Sequence, residues 1–175
     1  ALWPSSNRLA KVVPHFWPMF YGVLGKNDRS SLAEPRMYNF MNRHMKPLVA
    51  PSNVPAGLGF SSFGHFKIHP LTIPEIHKIE DQFADAAVRA SKAGADGVEI
   101  HAGHGYLLTQ FLSPYTNIRT DEYGGSTENR ARIVKEIIAK IRARLGTDFP
   151  ISVRLTVDEY YSKIGYPDQG IKLAE

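Results

Sequence analysis

Cysteine is absent from this sequence of 175 residues. These residues therefore form no disulfide, offer no cysteine nucleophile, and supply no thiolate to an iron–sulfur cluster or a zinc ion. Also absent are an apolar run of roughly 18 residues, which a membrane-spanning helix needs, and the basic start with a short apolar stretch that marks a secretory signal. We therefore expect a cytoplasmic protein that has no membrane partner.

A large excess of one charge is also lacking. The formal net charge is +4, from 21 basic and 17 acidic residues. The two kinds alternate along the helical stretches and do not form a basic stripe, so nucleic acid is not an expected partner. A phosphorylated cofactor or a thioester substrate is compatible with this balance. The length and the 43% hydrophobic content suit one domain or part of one.

The chain divides near residue 70. Residues 1–70 hold most of the prolines and both tryptophans without a sustained period of two or 3.6, which predicts a loop-rich segment. Residues 71–175 are periodic. There, Thr72 and Glu75 have the spacing of a capping box, and Gly94 is a suitable C-terminal stop. Between them, apolar residues recur at helical spacing, namely Ile76, Ile79, Phe83, Ala86, Ala87 and Ala90. This pattern predicts an amphipathic helix.

Strands and helices alternate after this helix. The pattern predicts a strand at 96–101, a helical turn at 106–112, a loop at 116–125, a second helix that Ser126 or Thr127 caps and Gly146 ends, and a strand at 151–155. This order predicts an α/β fold with a parallel sheet. No G-x-G-x-x-G follows either strand, which disfavours a dinucleotide-binding doubly wound sheet.

Polar residues at the carboxyl ends of both strands favour a TIM barrel, because its active sites lie at those ends. His101 ends the first strand, and Arg154 lies near the end of the second. A complete barrel needs about 250 residues. We therefore predict part of a (β/α)8 TIM barrel, incomplete and with about two to three βα units. Residues 71–175 would form its central units, and residues 1–70 would be inserted in it or lead into it.

Alternation along the strands separates apolar from polar side chains. If the apolar faces pack against outer helices, Glu99, His101 and Arg154 face the barrel interior. Because a buried carboxylate and a buried guanidinium are both costly unless they are paired, we expect Glu99 to contact Arg154. Two roles stay open for Arg154, which would either neutralise Glu99 or stabilise an anion on a bound cofactor or substrate.

Two imidazoles and a phenol follow the first strand directly. His101, His104 and Tyr106 are separated only by alanine and glycine, which allow a ligand to approach. Neutral imidazole N–H groups can polarise a carbonyl oxygen, and a phenol can deliver a proton. A zinc ion would require a third ligand at a familiar spacing, and none is found. The pattern therefore favours carbonyl or anion binding and predicts no metal.

The composite motif around these residues resembles the Old Yellow Enzyme family, in particular its bacterial branch of 2-enoate, 2,4-dienoyl-CoA and bile-acid reductases. The resemblance rests on GADGVEIHAGHGYLLTQFLSP at 94–114, TNIRTDEYGGSTENR at 116–130 and SVRL at 152–155. It implies an FMN-containing TIM barrel in which NADH or NADPH is the electron donor and an activated alkene is the substrate. Some members also carry an iron–sulfur cluster beyond the barrel, so such a cluster stays open outside this segment.

The same resemblance implies roles for four residues. His101 and His104 would bind the carbonyl oxygen that activates the alkene, and Tyr106 would donate a proton to the α-carbon. Arg154 would lie beside the flavin N1 and O2 atoms. The strands with which family members hold the flavin ring and phosphate are not found in this sequence. The isolated chain is therefore expected to be inactive without the remainder of a parent chain.

Two alternatives stay open at this point. Flavin-dependent amine dehydrogenases and demethylases of the same fold share the first strand and its loop, although the trio of His101, His104 and Tyr106 suits carbonyl activation better. The other alternative is a non-catalytic barrel remnant that acts as a binding module. Neither the alkene, the choice between NADH and NADPH, nor the oligomeric state can be predicted from these residues.

Overall fold

The computed structural model describes residues 9–12, 48–54 and 68–159. In chain order these residues form β1 (Leu9–Val12), β2 (Leu48–Ala50), β3 (Ile68–Pro70), α1 (Ile73–Lys92), β4 (Gly97–Ala102), α2 (Leu107–Leu112), α3 (Thr127–Arg130), α4 (Arg132–Leu145) and β5 (Ile151–Leu155). Three short strands thus lie within the segment that was predicted to be loop-rich. The rest of that segment lies outside the described residues. None of the helices described is both long and apolar enough to cross a membrane.

The strands form two small sheets, and each described pair is parallel as predicted. One sheet has the order β1-β4-β5, and the other pairs β2 with β3. In the larger sheet Glu99 lies opposite Ser152, and His101 lies opposite Arg154. The alternation of helices with parallel strands confirms the α/β class. The number of βα units and the boundary near residue 70 remain predictions.

The first long helix begins and ends where the sequence predicted. The backbone N–H and the side-chain hydroxyl of Thr72 both donate to Glu75 Oε2, each at 2.8 Å. Pro74 lies in the first turn, where a missing N–H costs nothing. After Lys92 the chain turns at Gly94 with a φ of +86°, a left-handed conformation that glycine adopts without penalty.

The second predicted helix is divided in two by a turn at Ala131. Ser126 caps the short α3, because its Oγ accepts a hydrogen bond from the Asn129 N–H at 3.3 Å. On either side of the turn, Arg130 donates to the Leu112 carbonyl oxygen and Arg132 donates to that of Glu122. These bonds tie the turn to the end of α2 and to the loop that follows α2. They depend on contacts between distant residues, so the periodicity of the sequence could not indicate the break.

The hydrophobic core lies between the sheet and the two long helices. Its members come from α1, β4 and α4 and include Ile76, Phe83, Val98, Ile100, Ile133, Ile137 and Ile141, all at 3% exposure or less. The apolar face of β4 therefore packs against the helices, as the alternation predicted. Each of these side chains contributes about 1.5–3 kcal/mol by leaving water. The opposite face of β4 is left to Glu99 and His101.

A polar network crosses the interface between α1 and α4. Glu80 is completely buried there, with its Oε1 3.4 Å from the Tyr123 hydroxyl and its Oε2 3.2 Å from Lys140 Nζ. The Tyr123 hydroxyl also donates to Glu136 Oε2 at 2.6 Å. Burial, followed by the hydrogen bond with Glu136, raises the pKa of Glu80 to about 7. Helical periodicity had predicted an apolar stripe and gave no indication of this acid.

We expect the stability of the protein to fall between pH 5 and pH 8 because of Glu80. Its pKa is near 4.5 when exposed and about 7 in the fold, so the folded state holds the proton more tightly. The associated stability is fully present below the lower value and is lost as the pH rises through the higher one. The free energy of unfolding should fall by on the order of 2 kcal/mol over this pH range, and Glu80→Gln should abolish most of this pH dependence.

Chemical denaturation at pH 5 and at pH 8 would measure this difference in the free energy of unfolding. The matched control is Asp85→Asn, which removes an exposed acid from the same helix and should leave the pH dependence unchanged. Wild-type pH dependence in the Glu80→Gln variant would show that another group is responsible.

Candidate functional site

The candidate site lies where β4 and β5 end side by side. The register places Arg154 opposite His101 and Leu155 opposite Ala102. Both strands run in the same direction, so the residues that follow them emerge at one edge of the sheet. In α/β proteins this carboxyl edge is where ligands bind, because the loops that follow the strands are free to carry functional groups.

The structure brings together the three residues that the sequence singled out. The ring centroids of His101 and His104 are 5.0 Å apart, and those of His101 and Tyr106 are 5.2 Å apart. His101 is buried, with 6% of its surface exposed, whereas Tyr106 is half-buried and His104 is exposed. The buried ring thus lies at the base of the cluster, and the other two rings extend toward solvent. Such a cluster offers several hydrogen-bonding groups to one small ligand.

A tight turn holds His104 and Tyr106 in place. His104 and Gly105 have φ values of +60° and +73°, and the Tyr106 N–H donates to the Gly103 carbonyl oxygen at 3.4 Å. Positive φ at both central residues is typical of a type I′ turn. Space around Gly105 is open, since a Cβ there would meet no atom within 4 Å. The open approach that was expected from the small residues is thus found at Gly105.

Two side chains that the sequence analysis did not single out bind this turn. Gln110 Nε2 donates to the Gly105 carbonyl oxygen at 3.0 Å, and the backbone N–H of His104 donates to Thr156 Oγ1 at 3.0 Å. Gln110 belongs to α2, the helix that begins directly after Tyr106. Thr156 directly follows β5. For Thr156 the only indication in the sequence was that a polar residue directly follows a predicted strand.

Arg154 lies at the same edge, but without the expected partner. Its side chain is exposed, and within the described residues no ion pair joins it to Glu99 or to another acid. The predicted contact between Glu99 and Arg154 is therefore wrong. The reason is the strand register, which sets Glu99 beside Ser152 and moves Arg154 two residues further along. This leaves a guanidinium available to a ligand next to His101.

The long polar loop after α2 is a structural element. Asn117 Nδ2 donates to the carbonyl oxygens of Phe111 at 2.7 Å and Tyr123 at 2.8 Å. Arg119 Nη1 donates to those of Pro51 at 2.8 Å and Leu71 at 2.6 Å. Buried carbonyl groups need such donors, since an unpaired one costs about 1–3 kcal/mol. The loop thereby links the ends of β2 and β3 to α2.

One group of side chains in the described ranges has the spacing of a metal site. Ligand atoms of His77, Glu80 and Glu136 lie within 4.8 Å of one another. However, the Lys140 ammonium already contacts Glu80, and the Tyr123 hydroxyl already donates to Glu136. The ammonium supplies the positive charge that a cation would otherwise provide, and the phenol already occupies an oxygen of Glu136. The cluster is thus explained by packing between α1 and α4.

Comparisons with known proteins agree on one family. The model of the NADH:flavin oxidoreductase / NADH oxidase family matches residues 33–169. An NADH oxidase from Thermoanaerobacter brockii is 46% identical over 127 residues, which are 73% of this chain and 19% of that protein. A cinnamate reductase from Clostridium sporogenes is 43% identical over 128 residues, which are 71% of this chain and 19% of that protein. The chain thus spans about a fifth of the length of these relatives.

A solved structure shows the same likeness in three dimensions. The Old Yellow Enzyme from Pichia sp. is 35% identical to this chain and superposes with a TM-score of 0.59. The superposition covers 69% of this chain and 32% of that protein. This likeness supports the TIM-barrel fold that was predicted from the strand order and the polar strand ends.

Proposed function

The chain belongs to the NADH:flavin oxidoreductase / NADH oxidase family, which includes the Old Yellow Enzymes, and from this we infer that it is the central segment of an FMN-dependent ene reductase. The reaction is the reduction of an activated C=C bond in an enoate, an enone or a dienoyl thioester, with NADH or NADPH as the electron donor. The observation that carries this proposal is the cluster of His101, His104 and Tyr106, with ring centroids 5.0 and 5.2 Å apart. The part of the chain after residue 70 would supply two or three of the eight βα units.

The residues at the strand ends suit a flavin. When bound, FMN supplies the hydride that adds to the β-carbon of the alkene. Arg154 presents an exposed guanidinium at the carboxyl edge and forms no ion pair within the described residues. A fixed positive charge in this position would stabilise the electron-rich pyrimidine end of the flavin ring. The charge lies next to His101, so cofactor and substrate would meet at one edge of the sheet.

The trio would bind and protonate the substrate. N–H groups of His101 and His104 donate to the carbonyl oxygen and withdraw electron density from the C=C bond, which makes its β-carbon electrophilic. The Tyr106 hydroxyl gives its proton to the α-carbon and regains one from solvent, which its half-buried position allows. Hydride and proton together saturate the double bond. A pair of hydrogen-bond donors beside a proton source suits alkene reduction better than amine oxidation, so alkene reduction is the function that the geometry favours.

An absorbance spectrum tests the proposal. The sample is the full-length enzyme, by which we mean the polypeptide that carries the complete barrel around this segment. We expect a visible flavin band that bleaches on anaerobic addition of NADH or NADPH and returns on addition of an enone. A colourless protein that cannot be reconstituted with FMN would instead favour a non-catalytic binding module. The 175-residue chain alone is expected to bind no FMN, because the strands with which family members hold the flavin ring and phosphate are not found in its sequence.

Replacing Arg154 by methionine should weaken FMN binding by the full-length enzyme about tenfold or more. The change removes a charged hydrogen-bond donor but keeps an unbranched apolar stem, and such a bond contributes about 1.5–3 kcal/mol. The dissociation constant of FMN can be measured by quenching of flavin fluorescence on binding. Arg89→Met, which changes an exposed arginine on α1, is the matched control. Equal FMN affinity in the two variants would remove Arg154 from the cofactor site.

A further inference from the structure

We propose that Thr156 is a positioning residue that holds the His104 imidazole in its carbonyl-binding orientation by fixing the backbone that carries it, through the hydrogen bond that Thr156 Oγ1 accepts from the backbone N–H of His104 at 3.0 Å. The inference rests on the proposed function. It adds a residue that contacts neither the substrate nor the cofactor in that scheme. Thr156 lies 52 positions from His104 in the sequence, so only the pairing of β4 with β5 brings the two together.

The conformation of His104 explains why a hydrogen-bond acceptor is needed. Its φ of +60° lies in the left-handed region, which costs a residue with a Cβ about 1–2 kcal/mol. Such a conformation persists only where neighbouring groups hold it in place. The Thr156 hydroxyl binds the N–H of His104, and Gln110 binds the carbonyl oxygen of Gly105 at 3.0 Å. Each of the two central residues of the turn is thus held by one of these bonds.

The surroundings of Gly103 show how closely the two strand ends are packed. A Cβ built on Gly103 would lie 3.6 Å from Thr156 Oγ1, from the Arg154 carbonyl oxygen and from the His101 ring. Thr156 is therefore adjacent to the backbone that leads from His101 to His104. Loss of the Thr156 hydroxyl would free the backbone N–H of His104 and allow the turn to relax toward a less strained conformation.

Thr156 also connects the cofactor-binding and substrate-binding parts of the proposed site. It lies two residues after Arg154, the side chain proposed to contact the cofactor, and binds the residue proposed to contact the substrate. For the reaction, the His104 imidazole would have to hold the carbonyl oxygen of the substrate in one fixed position. A displacement of about 1 Å can lower a rate about 10²-fold. The hydrogen bond would therefore set the position of the substrate relative to the cofactor.

The test is a titration of the full-length, FMN-loaded enzyme with a para-substituted phenol, whose oxygen takes the place of the substrate carbonyl oxygen. Binding is followed by the change in flavin absorbance. Thr156→Val removes the acceptor but keeps the shape of the side chain, and it should raise the Kd of the phenol about tenfold. Thr156→Ser restores a hydroxyl and should bring the Kd back to within about twofold of wild type.

A control and a double variant separate positioning from general stability. Ser113→Ala removes a different link to the segment that follows β5, the 2.6 Å hydrogen bond from Ser113 Oγ to Glu159 Oε2, and should leave the Kd unchanged even if it lowers the Tm. In a His104→Ala background, Thr156→Val should have no further effect on the Kd, because the imidazole that it positions is gone.

Two results would overturn the inference. One is a wild-type Kd in the Thr156→Val variant, and the other is an equal effect of that change with and without the His104 imidazole. Failure of the proposed function would appear differently, because the wild-type protein would then bind neither FMN nor the phenol.

Discussion

Replacing Tyr106 by phenylalanine in the full-length enzyme is expected to slow reoxidation of the reduced flavin by an enone by about 10²-fold or more. In the proposed scheme both imidazoles bind the carbonyl oxygen, so the phenol is the group of the trio that gives the proton. Its ring centroid lies 5.2 Å from that of His101. Phenylalanine keeps the ring and loses the hydroxyl, so binding of the substrate should change little. Stopped-flow absorbance measures the two half-reactions separately.

The reduction of the flavin by NADH or NADPH provides the internal control for this experiment. It requires no proton transfer to a carbon atom of the alkene, so its rate should stay near that of wild type. Tyr115→Phe, in the segment that follows α2, serves as the matched variant and should alter neither half-reaction. A normal rate of alkene reduction in the Tyr106→Phe variant would assign proton donation to another group.

Replacing both His101 and His104 by alanine should raise the Kd for a para-substituted phenol by about 10²-fold or more. Each imidazole would contribute a hydrogen bond to a charged oxygen, worth about 1.5–3 kcal/mol, and tenfold in Kd corresponds to about 1.4 kcal/mol. The double change should also remove most of the affinity for enones, since their carbonyl oxygen would occupy the same position. The titration is again followed by flavin absorbance.

Two further variants test whether the imidazoles act as hydrogen-bond donors. Asparagine at both positions keeps an N–H donor and should recover part of the affinity that alanine loses. His77→Ala, on the exposed side of α1, should leave the Kd unchanged. His101 is buried, so the melting temperature of each variant must be measured as well. An unchanged phenol Kd in a folded double variant would place the carbonyl site elsewhere.

Local signals explain why much of the secondary structure could be predicted. The capping box at Thr72, the left-handed glycines at 94 and 146, and the strand Ile151–Leu155 all depend on residues close together in the sequence. The break at Ala131 and the buried acid Glu80 depend on contacts between distant segments. Helical periodicity describes which side of a helix is apolar on average, and it cannot show that Tyr123 and Lys140 will provide partners for a carboxylate.

The sequence by itself determined that the three residues of the proposed site lie close together, because His101, His104 and Tyr106 belong to one strand end and the turn that follows it. Their mutual distances are limited by a few backbone torsions. The tertiary structure alone decided what surrounds them. Side-chain alternation assigns residues to a face of a strand but leaves the offset between two strands open, so the predicted pair of Glu99 and Arg154 was wrong. The same offset places Thr156 against His104, a contact set by the pairing of β4 with β5 and by no pattern within either segment.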